Sequence, residues 1–236
     1  MEKNTPSLTK ELIYMVQNHS VLKHEWLQNK KNQFELDDVL WWLSQEYFVS
    51  KAFVNWFLEG ALLTEDVEAR IILLKNVWEE LGNGVSKNSH VFILKDFLIE
   101  LGVEFQDVRP MPETLLYLDM MNQIIKKGFY HAIGALGPAN EYLLNLEYGF
   151  MERSYLDLKS KLDLPMGKFF QVNLEADKSH SKEMFDLIEK MVDSQNTKDQ
   201  VLHATEIALD ARLVFYSGLI KIENTPFPYR IKSKHT

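Results

Sequence analysis

Cysteine is absent from the 236 residues. That excludes disulfides, thiolate metal sites and a cysteine nucleophile. Glycine and proline are scarce, at 10 and 7. Asp-Gly does not occur, and Asn-Gly occurs only at 83–84, with no alternating pattern around it. Hairpins therefore have little to turn on. No run of about 18 apolar residues is present to span a membrane. The first residues lack the charged-then-apolar order of a secretory leader, so a soluble, cytoplasmic protein is the expectation. Positive charge is also short: 26 basic against 34 acidic side chains leave a net −8, with no basic stripe. Nucleic acid is disfavoured as a partner.

What is present is hydrophobic periodicity of three and four, with 46% apolar residues. This predicts an all-α protein, one domain over 1–236. Helices are expected over roughly 7–18, 36–58, 64–81, from Ser86 or Asn88 to Gly102, 112–135, through Glu141, 166–192 and 198–222. "LGPAN" at 136–140 is expected to kink or break the chain. The "TPFPYR" near the end reads as irregular.

Within these helices some polar residues fall on apolar faces. "QVNLEADKSH" places Asn173, Asp177 and His180 at i, i+4 and i+7, in line with Phe169, Phe170, Met184, Leu187 and Met191. A carboxylate buried there needs a partner or a metal. The bland reading is a hydrogen-bonded Asp–His pair in the core. In "VWEELGNG", Glu80 shares a face with Leu73 and Val77, while Glu79 falls on the side of Lys75 and Asn76. Glu80 is thus read as the inward acid and Glu79 as the solvated one. His90 lies in line with Ile93, Leu94, Phe97 and Leu98. Acids and imidazoles facing one another from separate helices are how bundles build two-metal centres. Without cysteine, such ligands suit iron or manganese as well as zinc. Periodicity leaves Glu141 and Glu147 open as a third acid. Glu46 and Tyr47 point about 100° apart, so at most one of them lines the same cavity, and an ordinary amphipathic helix explains both equally well.

"NVWEELGNGVSKNSHVFIL" resembles a signature of the heme-oxygenase-like iron-containing redox enzymes, an acid in E-L-G-x-G with a histidine ten residues on. Glu80 and His90 match it. "KFFQVNLEADKSH" resembles that family's later H-x-x-x-D-x-x-H helix, with Asp177 and His180 matching and Asn173 where the first histidine is expected. Residues 21–53 are similar to its early helices. The family's third acid lies some thirty residues before that helix motif. Glu141, in "GALGPANEYL", is 32 before Asn173.

The resemblance implies a compact bundle of seven or eight helices, shared with TenA thiaminases and PqqC oxidases. It implies two iron ions, with manganese as the alternative, held by Glu80, His90, Glu141, Asp177 and His180. It further implies O2 chemistry on a small organic molecule, and a homodimer. Asn173 would weaken one metal position, since an amide oxygen is a poorer ligand than imidazole. The thiaminase activity is set aside, because it needs a cysteine. A metal-independent enzyme or binding protein on the same fold is the second expectation.

Overall fold

The computed structural model describes residues 7–230, and the side chains of 176–178 also fall outside the description. The described chain is helical, and its single β-bridge, Val103 with Arg230, belongs to no strand. The order is α1 (Leu8–Asn18), α2 (Glu25–Lys30), α3 (Leu36–Leu62), α4 (Val67–Glu80), α5 (His90–Glu100), α6 (Pro112–Ile125) and α7 (Phe129–Leu136). A π-turn over Gly137–Tyr142 leads into α8 (Leu143–Lys161), followed by α9 (Lys168–Met191) and α10 (Gln195–Lys221). No helix among the described residues is long and apolar enough to cross a membrane.

Local chemistry sets most of the ends. Ser7 accepts a bond from the Lys10 amide and Asp66 from the Ala69 amide, each satisfying a free N–H of a first turn. Thr64, expected to start α4, instead accepts from the Asp66 amide one step earlier. Pro112 occupies the first turn of α6, where its missing N–H costs nothing. The helix expected over 112–135 is divided. Gly128, at φ 143°, takes a conformation open to glycine and ends α6 before α7 begins. The segment 136–140 neither stops nor breaks the chain. It widens one turn, and α7 continues through it into α8.

Helix α3 is buried on several faces and packs against α4, α5, α6 and α7. Helix α10 lies along α6 and α7, while α9 crosses α4, α5, α8 and the π-turn. One contiguous apolar core runs from Leu8 to Phe227. Buried polar groups interrupt it in several places, and two clusters of them hold the candidate acids. The first lies where α4, α5, α9 and the π-turn meet.

Candidate metal centre

The turn after α4 fixes the first two side chains. Glu80 is the last residue of α4 and His90 the first of α5. Between them, Gly82, Asn83 and Gly84 all have positive φ, at 73°, 53° and 81°. The turn folds back so tightly that a Cβ on Gly82 would stand 2.5 Å from the Ser89 nitrogen. Only glycine fits, and the closeness brings the start of α5 against the end of α4. Glu80 Oε1 then lies 2.9 Å from His90 Nδ1, and both residues are buried. The atoms are close but not aligned as a hydrogen bond, leaving that nitrogen without a partner.

The π-turn fixes the third. Pro138 has no N–H to give the helix, and the Gly134 carbonyl is instead bonded by the Thr205 hydroxyl at 2.9 Å. The Ala135 carbonyl accepts from Asn140 Nδ2 at 2.7 Å, and Asn140 Oδ1 accepts from the Tyr117 hydroxyl at 2.9 Å. Side chains thus replace the helical bonds that the wide turn gives up. Glu141, held in this turn, is fully buried, and neither of its oxygens has a hydrogen-bond partner among the described residues.

His180, on α9, completes the group. It is fully buried, with Nδ1 3.5 Å from Glu141 Oε2 and Nε2 2.5 Å from Glu79 Oε2. Glu79 was expected in solvent. It is only partly exposed, because α9 packs beside α4 and brings His180 within its reach. The adjacent acids of "EE" were the one visible signal. Asn173 is buried about two helical turns earlier, donating to the Phe169 carbonyl at 2.7 Å. Asp177 lies outside the described residues. Among the described residues, no three acid or imidazole side chains form a closed ligand set. Glu80 with His90 and Glu141 with His180 stand as two acid–imidazole pairs.

The charges of the pairs are coupled. Burial pushes the Glu141 carboxyl above its ordinary range, more than His180 lowers it. Burial alone would lower the His180 imidazole, but Glu141, Glu79 and Glu80 outweigh it and hold it at about 10. His90 behaves alike: desolvation opposes its charge, and the Glu80 carboxylate more than compensates.

Two clefts reach this group. One runs past Val49, Phe53, Leu144, Tyr148 and Phe169 to Glu80 and Asn173. The other opens between the glycine turn and α9, onto Glu79 and His90, with Lys168 at its edge.

Glu147, the other candidate acid, faces elsewhere. It accepts from Arg212 Nε at 2.9 Å and from Nη2 at 2.7 Å, and Arg212 also bonds Glu46. All three are buried, and the guanidinium lies over the Phe215 ring at 4.3 Å. Glu46 also accepts from Trp42 Nε1 at 2.8 Å. This is the second polar cluster. Tyr47 lies away from both, edge-on to Phe105 with ring centroids 4.4 Å apart.

The fold and its buried acid–imidazole pairs can be set beside known proteins. Residues 40–213 match the family described as "Iron-containing redox enzyme", and the chain belongs to that family. Solved structures share the fold. A CADD-like protein of unknown function from Nostoc punctiforme superposes with a TM-score of 0.76 at 18% identity, over 91% of this chain and 96% of that one. A domain of unknown function with a heme oxygenase-like fold from Shewanella denitrificans gives 0.71 at 17%, over 95% and 97%. A TenA homolog from Pseudomonas syringae pv. tomato gives 0.70 at 17%, over 92% and 93%. A comparison with curated proteins returns no match.

Proposed function

We propose that the chain is an iron-dependent oxidase or oxygenase that uses O2 on a small organic molecule. The observation that carries this reading is Glu141. A carboxylate buried completely with neither oxygen hydrogen-bonded is costly. It faces His180 Nδ1 at 3.5 Å, a nitrogen that also makes no hydrogen bond. Oxygen and imidazole donors of this kind suit iron or manganese.

The outer contacts fit the same reading. A histidine bound to metal through one nitrogen commonly gives its other N–H to a carboxylate, which fixes the tautomer. Glu79 at Nε2 is that partner, leaving Nδ1 turned toward Glu141. Glu80, His90, Glu141 and His180 would be ligands, with Asp177 joining them by family resemblance. Bound iron supplies one-electron steps and an open position for O2. The chain's own part is to hold the ligands and to give up the protons shared among them. The cleft beside Glu80, about 20 Å³ between Val49, Phe53, Leu144 and Phe169, has room for a molecule the size of water or O2.

The test is anaerobic titration with ferrous iron, with metal content and proton release measured, followed by O2 uptake. Binding should release protons, because the acid–imidazole pairs must deprotonate. Failure to bind either iron or manganese would overturn the proposal. A second reading would then stand: a metal-independent enzyme or binding protein. It draws on Asn173, an amide where resemblance expects an imidazole, and on the absence of a closed ligand set among the described residues.

A further inference from the structure

The second polar cluster holds more acid than base. Glu46 on α3, Glu147 on α8 and Arg212 on α10 are exposed by 1%, 0% and 1%. Among the described residues, Arg212 is the only cation paired with either acid. His24 stands beside Tyr216, with ring centroids 5.7 Å apart, but burial holds its imidazole below the ordinary range, so it adds no charge. Tyr117 on α6 and Tyr216 on α10 face the cluster too, and burial pushes both phenols up, so they stay neutral. Two carboxylates against one guanidinium would leave a negative charge uncompensated and out of reach of water, which is costly. A single proton on the acids removes it. Each acid gives one oxygen to the guanidinium, Glu46 Oε1 and Glu147 Oε2, and both accept from the same Nη2. Their other oxygens are left for a proton. Glu147 Oε1 has no hydrogen-bond partner among the described residues, and burial lifts that carboxyl above its ordinary range against the pull of Arg212. Glu46 Oε2 meets the Tyr148 hydroxyl at 3.5 Å. Tyr148 in turn lines the cleft that reaches Glu80 and Asn173.

We infer that Glu46 and Glu147 hold one proton in common, and that Tyr148 is the exit by which it reaches the cleft beside Glu80. Two acids coupled this closely titrate as a pair, so the proton belongs to both. The cleft has room for a water molecule at the Tyr148 hydroxyl. Trp42 and Phe169 pack edge-on against the Tyr148 ring and hold it between cluster and cleft. The 3.5 Å gap to Glu46 is long for a hydrogen bond, and rotation of the carboxyl closes it. The transfer is a relay without electron movement. The Tyr148 O–H bond breaks as its proton passes to an acceptor in the cleft. The Glu46 Oε2–H bond then breaks as Tyr148 is reprotonated, and Arg212 keeps its charge throughout. The cluster goes from neutral to one negative charge, and a proton returning by the same path restores it. The use of the relay rests on the oxidase reading, since reduction of O2 consumes protons. Tyr148 is the group that meets the acceptor, while Glu46 and Glu147 act through it.

The experiment uses the whole chain, free of metal, and infrared spectroscopy at neutral pH. A protonated carboxyl gives a carbonyl band separate from those of carboxylates. Glu46→Gln and Glu147→Gln should each remove the same band, because either leaves one acid in balance with Arg212. Glu141→Gln should leave that band in place, and circular dichroism should show all three variants folded. On transfer to heavy water the band shifts as the proton is replaced. Tyr148→Phe should keep the band and lose the fast phase of that shift. A wild type without the band, or a band that survives either of the first two variants, would overturn the shared proton. Exchange as fast in Tyr148→Phe as in wild type would overturn the exit. None of these measurements needs iron, so a chain that fails to bind iron overturns the oxidase reading while the exchange still decides the relay. In the iron-loaded chain, Tyr148→Phe should leave the iron content unchanged, lower kcat for O2 uptake and enlarge its solvent isotope effect.

Discussion

At the scale of single residues, each of the two buried clusters depends on its counter-charge. Arg212 pairs with Glu46 and Glu147 away from water, so removing the guanidinium strands buried acids. Arg212→Met is expected to cost about 3–5 kcal/mol in chemical denaturation. In the other cluster Glu141 is the counter-charge facing the buried His180 imidazole. Glu141→Gln should therefore bring that imidazole down from about 10, as followed by NMR titration, and abolish iron binding. Glu79 acts through His180. Glu79→Ala should weaken iron about 10–100-fold in the same titration, by releasing the ring from its fixed tautomer. Asn173→His should raise the iron bound per chain, while His180→Ala should lose it. No change in Asn173→His, with wild type already binding two ions tightly, would show that the amide marks no deficit. Glu80, His90 and His180 were legible because each breaks an apolar stripe. Glu79 was not, because periodicity places a residue relative to its own helix and is blind to the neighbour that packs into the angle beside it.

At the scale of elements, the close crossing of α7 and α10 is the most sensitive place. A Cβ on Gly134 would stand 2.5 Å from the Val201 carbonyl oxygen, a backbone atom that cannot swing aside. Gly134→Ala should push the helices apart, lengthen the Thr205 bond to the Gly134 carbonyl and cost about 1–3 kcal/mol in thermal unfolding. Gly102→Ala, with nothing near its would-be Cβ, meets no such obstacle and carries only backbone strain at φ 86°. Most helices were readable from the three-and-four spacing and Ser7 as a cap, whereas the cap of α4 was placed at Thr64, two residues before Asp66, which makes the bond. The division at Gly128 was hidden, since a single glycine inside an apolar pattern is ambiguous until its φ is known. The π-turn was half visible. Proline announced a disturbance, but nothing local said that Thr205 and Asn140 would supply the missing bonds and let the helix go on.

At the scale of the whole molecule, the continuous core predicts a single cooperative unfolding transition, with fluorescence and circular dichroism coincident. Two separated transitions would show that parts of the chain fold independently. Ferrous iron should move that transition upward, by about 2.7 kcal/mol at a hundredfold excess over the dissociation constant. The His180→Ala variant should show no such shift.

The wide turn at Gly137–Tyr142 also sets how the chain tolerates changes of length. A π-turn holds one residue more than an α-turn, so α7 and α8 are a single helix whose halves are out of phase by about 100°. The first half is registered against α10 through Gly134 and the second against Arg212 through Glu147. Deleting one residue there would leave every helix and cap intact. It would nevertheless turn one half away from its partners, taking Glu141 from His180 or Glu147 from Arg212. An insertion elsewhere, in an exposed connection, leaves both registers alone. The spare residue thus makes this buried turn the place where the molecule counts its own length.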